Sequence, residues 1–279
     1  MTTWFITGAS SGFGRGLTEQ LLARGDRVAA TVRRPAALDD LKAQYGAALW
    51  IATLDVTDTA ALRQAVDAAF AALGRIDVVV SNAAYGLFGA GEEVTDAQLA
   101  QQLDTNLVGS IQLIRAVLPH LRAQGGGRLL QMSSEGGQIA YPGFGLYHAS
   151  KWGIEGFVEA VAQEVAPFGI QMLLVEPGPT VTGFAAGVVR AEAMAAYAGT
   201  PAGEIREALF GERAGAFAIE GDVHKMVRAI LEVADAAAMP RRLVLGSAAY
   251  AHVHAGLTAR LAELETQRAL ACAMDLDKD

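Results

Sequence analysis

The chain has 279 residues, with 30 acidic against 22 basic side chains and a formal charge of −8, a balance that disfavours nucleic acid, whose phosphates need clustered Lys and Arg. Its 52% hydrophobic and 19% charged residues suit a large buried core and exclude a disordered chain. The one cysteine, Cys272, excludes an intrachain disulfide and a cysteine-built zinc site, and no metal site is expected. A start without a signal-peptide pattern and the absence of an apolar run of about 20 residues point to a cytoplasmic protein with no membrane partner.

In chain order, short Val/Ile/Leu-rich runs alternate with stretches of helical apolar spacing. Strands are expected at Trp4–Thr7, Arg27–Val32, Ala48–Leu54, Val78–Val80, Arg128–Met132, Gln171–Val175 and Leu243–Leu245. Helices are expected at Arg15–Ala23, Ala60–Leu73, Asp96–Leu121 and Gly153–Val165. Strands apolar on both faces, each followed by a helix, require a parallel sheet covered on both sides. Right-handed crossovers then give an α/β, doubly wound parallel sheet of the Rossmann type. No composition break divides the chain, so residues 1–279 are expected to form one domain.

Two segments depart from that rhythm. From about residue 183 to 221, scattered apolar residues with Phe184, Tyr197, Phe210 and Phe217 suggest a helical substrate lid, because insertions after late strands sit beside the ligand crevice. From 251 to 274, leucines at 257, 261, 264 and 270 suggest an amphipathic helix packed on the body or on another subunit. Trp4 and Trp152 are expected in the core, and His252 and His254 on the surface without a carboxylate partner.

The first strand runs into Thr7-Gly8-Ala9-Ser10-Ser11-Gly12-Phe13-Gly14 and then a helix. Such a turn lets backbone N–H groups meet a pyrophosphate, with the helix dipole behind them. Gly8-Ala9-Ser10-Ser11-Gly12 also matches the nucleophile elbow of serine hydrolases, with Ser10 as nucleophile, but it lies too early in the chain for that elbow. About twenty residues on, where an NAD site usually carries an acid for the ribose, the strand ends Val32-Arg33-Arg34. Two guanidinium forks suit a 2′-phosphate, so NADP(H) is favoured over NAD(H), which is not excluded. Asp55, beside Val56, is placed to accept from the adenine amino group.

Tyr147 and Lys151, four apart at a helix head, share one face, and Ser134 follows a strand thirteen residues earlier. With this set the chain strongly resembles the short-chain dehydrogenase/reductase family in its single-domain type of about 250 residues. The resemblance rests on the glycine turn, Asp55, Ser81-Asn82-Ala83-Ala84, Asn106, Ser134, Tyr147, Lys151 and Pro177-Gly178-Pro179-Thr180-Val181-Thr182. It implies an NADP(H)-dependent oxidoreductase interconverting a ketone or aldehyde and an alcohol, often as a dimer or tetramer. Tyr147 would be the general acid or base and Ser134 would hold the substrate oxygen. Lys151 would hold the nicotinamide ribose and lower the Tyr147 pKa towards neutrality, and Asn106 would anchor a water behind it. The nucleotide would lie against Gly8, Ser10, Ser11, Gly12, Phe13, Gly14, Arg33, Arg34, Asp55, Val56, Asn82, Ala83, Ala84, Tyr147, Lys151, Pro177, Gly178, Thr180 and Thr182. Glu135 and Gln138, where apolar residues are commoner, would touch a polar substrate group or cap the loop; Phe144 and Phe184 complete the substrate candidates. The same motifs could also serve a non-catalytic NADP(H)-binding sensor or scaffold.

Overall fold

The computed structural model describes residues 1–211 and 219–276 of the chain. Its elements begin with β1 (Thr3–Thr7), α1 (Gly12–Ala23), β2 (Arg27–Val32), α2 (Asp39–Tyr45), β3 (Leu49–Thr53), α3 (Thr59–Leu73), β4 (Val78–Ser81) and the short β5 (Leu87–Phe88). There follow α4 (Asp96–Leu103), α5 (Gly109–Ala123), β6 (Gly127–Met132), α6 (Gly145–Val165), β7 (Ile170–Pro177), the short β8 (Val189–Arg190) and α7 (Pro201–Phe210). The chain closes with α8 (Val223–Asp235), β9 (Arg242–Leu245), α9 (Ser247–Thr266) and α10 (Arg268–Cys272).

Seven of these strands form one parallel sheet in the order β3-β2-β1-β4-β6-β7-β9, a Rossmann-like α/β fold. Alternation along the strands divides the core. Trp4, Ile6, Val28, Val80 and Leu130 face the layer that holds α1 and α8. Phe5, Val79 and Leu129 face α3, α5 and α6. Trp4, Phe5 and Ile6 are all fully buried, each large apolar side chain contributing about 1.5–3 kcal/mol. The order reverses between β1 and β4, which opens a crevice at the carboxyl ends of the strands.

All seven expected strands are present to within a residue or so at their ends. The expected helix Asp96–Leu121 is helical throughout but changes register: a π-turn at Asp104–Val108 joins α4 to α5. The helix that carries Tyr147 starts at Gly145 rather than Gly153. Trp4 is core, but Trp152 is 45% exposed, its indole lying beneath the Arg260 guanidinium. Leu257, Leu261, Leu264 and Leu270 are exposed on α9 and α10, so that face is not packed on the body; α9 is anchored instead by Ala249 and Val253. In the segment after β7, β8 pairs with β5 and α7 follows. Residues 212–218, including Phe217, lie outside the described residues.

One charged cluster ties the second half of the sheet together. Glu176 of β7 is 0% exposed and Glu155 of α6 is nearly so. Arg242 of β9 donates to Glu155, Glu176 and the more exposed Glu159. Ser133 donates to Glu155 and Gln138 to Glu176, which draws the loop after β6 into the same cluster. Burial opposes the Arg242 charge, but Glu155 and Glu159 outweigh it and raise its pKa. Burial, then Glu155, raises the Glu176 pKa. Removing one member of such a cluster strands buried charge, at about 3–5 kcal/mol. Arg242→Met should therefore lower the urea unfolding free energy by about that amount, and adding Glu155→Leu with Glu176→Leu should recover much of the loss.

Candidate active site

The carboxyl ends of β1 and β4 are clasped by side-chain bonds. Thr7 Oγ1 accepts from the backbone N–H groups of Asn82 (3.0 Å) and Ala83 (3.2 Å). Asn82 Nδ2 donates back to the carbonyl oxygens of Thr7 (2.9 Å) and Gly8 (3.1 Å). Gly8 has φ +67, a left-handed conformation that suits glycine. At Gly14 a Cβ would overlap the Gly8 carbonyl oxygen and Asn82 Nδ2, so only glycine lets α1 start this close to the strand. Ser11 caps α1 in extended conformation but makes no side-chain cap bond. The first-turn N–H groups therefore face the crevice beside exposed Ser10 and Ser11. That is an anion cradle of the kind a pyrophosphate fits.

Around the cradle, Thr182 from the loop after β7 lies beside Gly12. Thr180 donates to the Gly178 carbonyl oxygen, and Gly178 N–H to Leu245. Arg33 and Arg34 are exposed past the end of β2, before the proline that opens a short 3₁₀ turn. Asp55 accepts from Thr57 N–H and Oγ1; these bonds and the Arg33 charge hold its carboxyl below the usual range despite partial burial. Val56 is buried against the start of α5, while Ala84 is exposed on the loop after β4.

The second cluster sits where β6 and α6 meet. Ser134 Oγ accepts from Gly136 N–H (3.1 Å), and its hydroxyl is near enough to the Tyr147 phenol to favour the ionised form. Lys151 is 2% exposed; its Nζ donates to the Met132 carbonyl oxygen (2.9 Å) and lies 5.7 Å from the Tyr147 ring centre. Asn106, in the π-turn, exchanges bonds with the Tyr85 backbone (2.8 and 3.1 Å) and donates to Ser150 Oγ (3.3 Å). Ser150 in turn donates to the Tyr147 carbonyl oxygen. Aromatic rings wall the phenol: Phe184 at 5.7 Å and Phe144 at 6.2 Å between ring centres, with Phe88 and Phe210 behind Phe144.

A family model described as short chain dehydrogenase matches residues 2–193. The chain belongs to that family. An oxidoreductase of Botryotinia fuckeliana is 36% identical over 244 residues, 87% of this chain and 88% of the relative. A 3-ketodihydrosphingosine reductase of Bacteroides thetaiotaomicron is 39% identical over 179 residues, 64% of each chain. Among solved structures, a short-chain dehydrogenase from Streptomyces avermitilis has TM-score 0.90 and 38% identity, covering 99% of this chain and 100% of its own. In a short-chain dehydrogenase the turn at Ser10 belongs to the Rossmann fold, and the serine-hydrolase reading falls.

Two expectations are corrected in this short-chain dehydrogenase. Lys151 does not draw the Tyr147 phenol towards neutrality: burial dominates, the nearby Glu135 charge adds to it, and the Ser134 hydroxyl only partly offsets them, so the pKa is pushed up to about 12. Burial likewise pushes Lys151 down to about 8, with Glu155 opposing it. Of the two alternatives for Glu135 and Gln138, the bonds within the protein favour a role in holding the loop: Gln138 Nε2 bonds Glu176, and the Glu135 oxygens bond Tyr141 and His252. His252 thus has a carboxylate partner that sequence spacing does not disclose. Among the described residues no cluster of metal-ligating side chains occurs, and none of their helices is long and apolar enough to cross a membrane.

Sequence reading missed Tyr85, Tyr141 and the Arg242 cluster. Only Glu155, four residues after Lys151 on a helix, carried a local signal. The site also makes a stability prediction. Lys151 has a folded pKa near 8 against 10.5 for a free lysine, so the unfolded chain binds the extra proton between these values and wild-type stability rises with pH there. Lys151→Met should raise the melting temperature at pH near 7, and its advantage should shrink from about pH 8 to pH 10.

Proposed function

We propose that the protein is an NADP(H)-dependent oxidoreductase that interconverts a mainly apolar ketone and its alcohol, with Tyr147 as proton donor and acceptor. The observation that carries this reading is the grouping of Ser134, Tyr147 and buried Lys151 where β6 meets α6, with Lys151 Nζ 5.7 Å from the Tyr147 ring centre and aromatic rings walling the phenol.

The cradle of Gly8, Gly12, Gly14 and the α1 N-terminus would hold the pyrophosphate. Arg33 and Arg34 would meet the 2′-phosphate and Asp55 the adenine, while Asn82, Ala83, Thr180 and Thr182 would line the remaining length. When bound, the nicotinamide supplies or takes up the hydride. The protein's part is proton transfer and alignment. A substrate carbonyl oxygen seated between Ser134 and Tyr147 accepts hydrogen bonds from both hydroxyls. A phenol with a pKa of about 12 is protonated throughout the neutral range, so Tyr147 enters carbonyl reduction with its proton in place. The Lys151 ammonium, in low-dielectric surroundings, stabilises the tyrosinate formed as that proton leaves. Asn106 sets the π-turn that packs against α6 behind these groups.

The substrate class follows from the wall of Phe144, Phe184, Phe88 and Phe210. Part of it comes from the segment after β7, which we read as the lid. Glu93, buried, accepts from Ala90 N–H (2.7 Å), Met194 N–H (2.9 Å) and Arg206 of α7, fastening that segment to the loop after β5. A non-catalytic NADP(H) sensor has no use for the aligned Ser134, Tyr147 and Lys151.

Tyr147→Phe should abolish NADPH consumption with ketones while leaving NADPH binding, read by fluorescence titration, within about threefold of wild type; retained turnover refutes the reading. Because Lys151 loses its proton near 8, kcat for reduction should be level at neutral pH and decline above about pH 8. Arg33→Asp should raise the KM for NADPH by about tenfold or more and shift preference towards NADH; an unchanged preference removes Arg33 from the 2′-phosphate.

A further inference from the structure

Part of the wall beside Tyr147 is carried by the segment that returns from β7, and that segment is seated on the loop after β4. β8 pairs in parallel with β5, Val189 against Leu87 and Arg190 against Phe88. The Val189 N–H donates to the Gly86 carbonyl oxygen (2.9 Å) and the Ala191 N–H to that of Phe88 (2.8 Å). Gly86 lies at the end of this pairing. From there the returning segment leads back through a single 3₁₀ turn, Ala185–Gly187, to Phe184, whose N–H donates to Thr182 Oγ1 (3.2 Å).

The Phe184 ring fills the space that a side chain at 86 would need. A Cβ on Gly86 would stand 2.8 Å from Phe184 Cζ, 3.1 Å from its Cε1 and 3.1 Å from Val188 Cγ2. All three lie inside the roughly 3.5–4.0 Å at which carbon atoms rest. The same ring is 5.7 Å between centres from the Tyr147 ring, tilted at 58° to it. Gly86 has no left-handed φ, so the backbone accepts a side chain and the demand for glycine is one of space. Gly143 differs: a Cβ there would overlap the Phe88 ring, but its φ of +82 calls for glycine on backbone grounds as well. Phe184 is 40% exposed, so a ring pushed off its seat has solvent to move into.

We propose that Gly86 determines which ketones the enzyme prefers. As a positioning residue it lets Phe184 lie beside Tyr147. A side chain at 86 turns that ring out and removes the apolar surface against which a bulky substituent on the carbonyl carbon would pack. The inference rests on the reading of Tyr147 as the reacting group of a ketone reductase.

The test compares NADPH-dependent reduction of acetophenone with that of butanone, each as kcat/KM, in the full chain. Phe184→Ala should lower the acetophenone-to-butanone ratio by about tenfold. Gly86→Val should lower it as much, while NADPH binding stays within about twofold of wild type. When the two substitutions are combined their losses should not add, because the second acts on a ring already displaced. Should Gly86→Val fail to fold, Gly86→Ala makes the same comparison with a smaller side chain. Val188→Ala, which touches the other neighbour of a side chain at 86, should leave the ratio at the wild-type value. A ratio unmoved by substitution at 86, or losses that add in full, overturns the proposal. So does a crystal structure of the Gly86 variant with the Phe184 ring in its present place. Absence of turnover of both ketones by the wild type is a separate failure, of the ketone-reductase reading, and the position of the ring in that crystal structure then still decides whether Gly86 seats it.

Discussion

The pairing of two buried carboxylates with one guanidinium is the interaction on which the second half of the molecule depends. Glu155 and Glu176 sit between α6 and the sheet, and Arg242 satisfies both while reaching Glu159. Through Ser133 and Gln138 the same carboxylates hold the loop that carries Ser134. The helix bearing Tyr147 and Lys151 and the loop bearing Ser134 are thus fixed to one charged centre. Their alignment is a property of that centre as much as of the local sequence. A hydrophobic packing of the same volume could match its stability, but it would lack the directional bonds that orient both elements at once.

The other half of the site depends on a different kind of constraint. At the strand-order reversal, Thr7 and Asn82 exchange bonds across β1 and β4 and bring the α1 N-terminus close to the sheet. The anion cradle is thereby made of backbone, which neither titrates nor changes rotamer. The titratable groups at the other end are side chains in dense surroundings, where burial moves both Tyr147 and Lys151 away from their free values. One end of the crevice is insensitive to pH and the other is governed by it.

The fold was legible because its strands are apolar on both faces and evenly separated by helical patterns. Alternation within Trp4-Phe5-Ile6 even foretells the two core layers. The glycine turn and the Ser134–Tyr147–Lys151 spacing were legible because each needs fixed residue types at fixed separations. The remainder was hidden for physical reasons. The π-turn at Asn106 arises from side-chain bonds to the Tyr85 backbone twenty-one residues away, so periodicity along Asp96–Leu121 reads as unbroken helix. Arg242 meets its carboxylates only after the sheet has formed, and His252 meets Glu135 across 117 positions. Trp152 was expected in the core and the leucines at 257, 261, 264 and 270 against the body or another subunit; hydrophobicity and spacing name an apolar face but not whether the body covers it, and here it does not. The Tyr147 pKa was misjudged because the burial that raises it is set by the surrounding fold, which the four-residue spacing to Lys151 does not disclose.

Arg242 follows both Glu155 and Glu176 in the chain, which bears on the order in which the second half can assemble. During vectorial synthesis, β7 and α6 leave the ribosome with Glu155 and Glu176 before their countercharge exists, and docking them leaves two carboxylates uncompensated. The first five strands of the sheet can assemble from the chain already exported, whereas docking α6 before β9 carries the cost of that uncompensated charge. The docking of α6 is thereby tied to the arrival of β9.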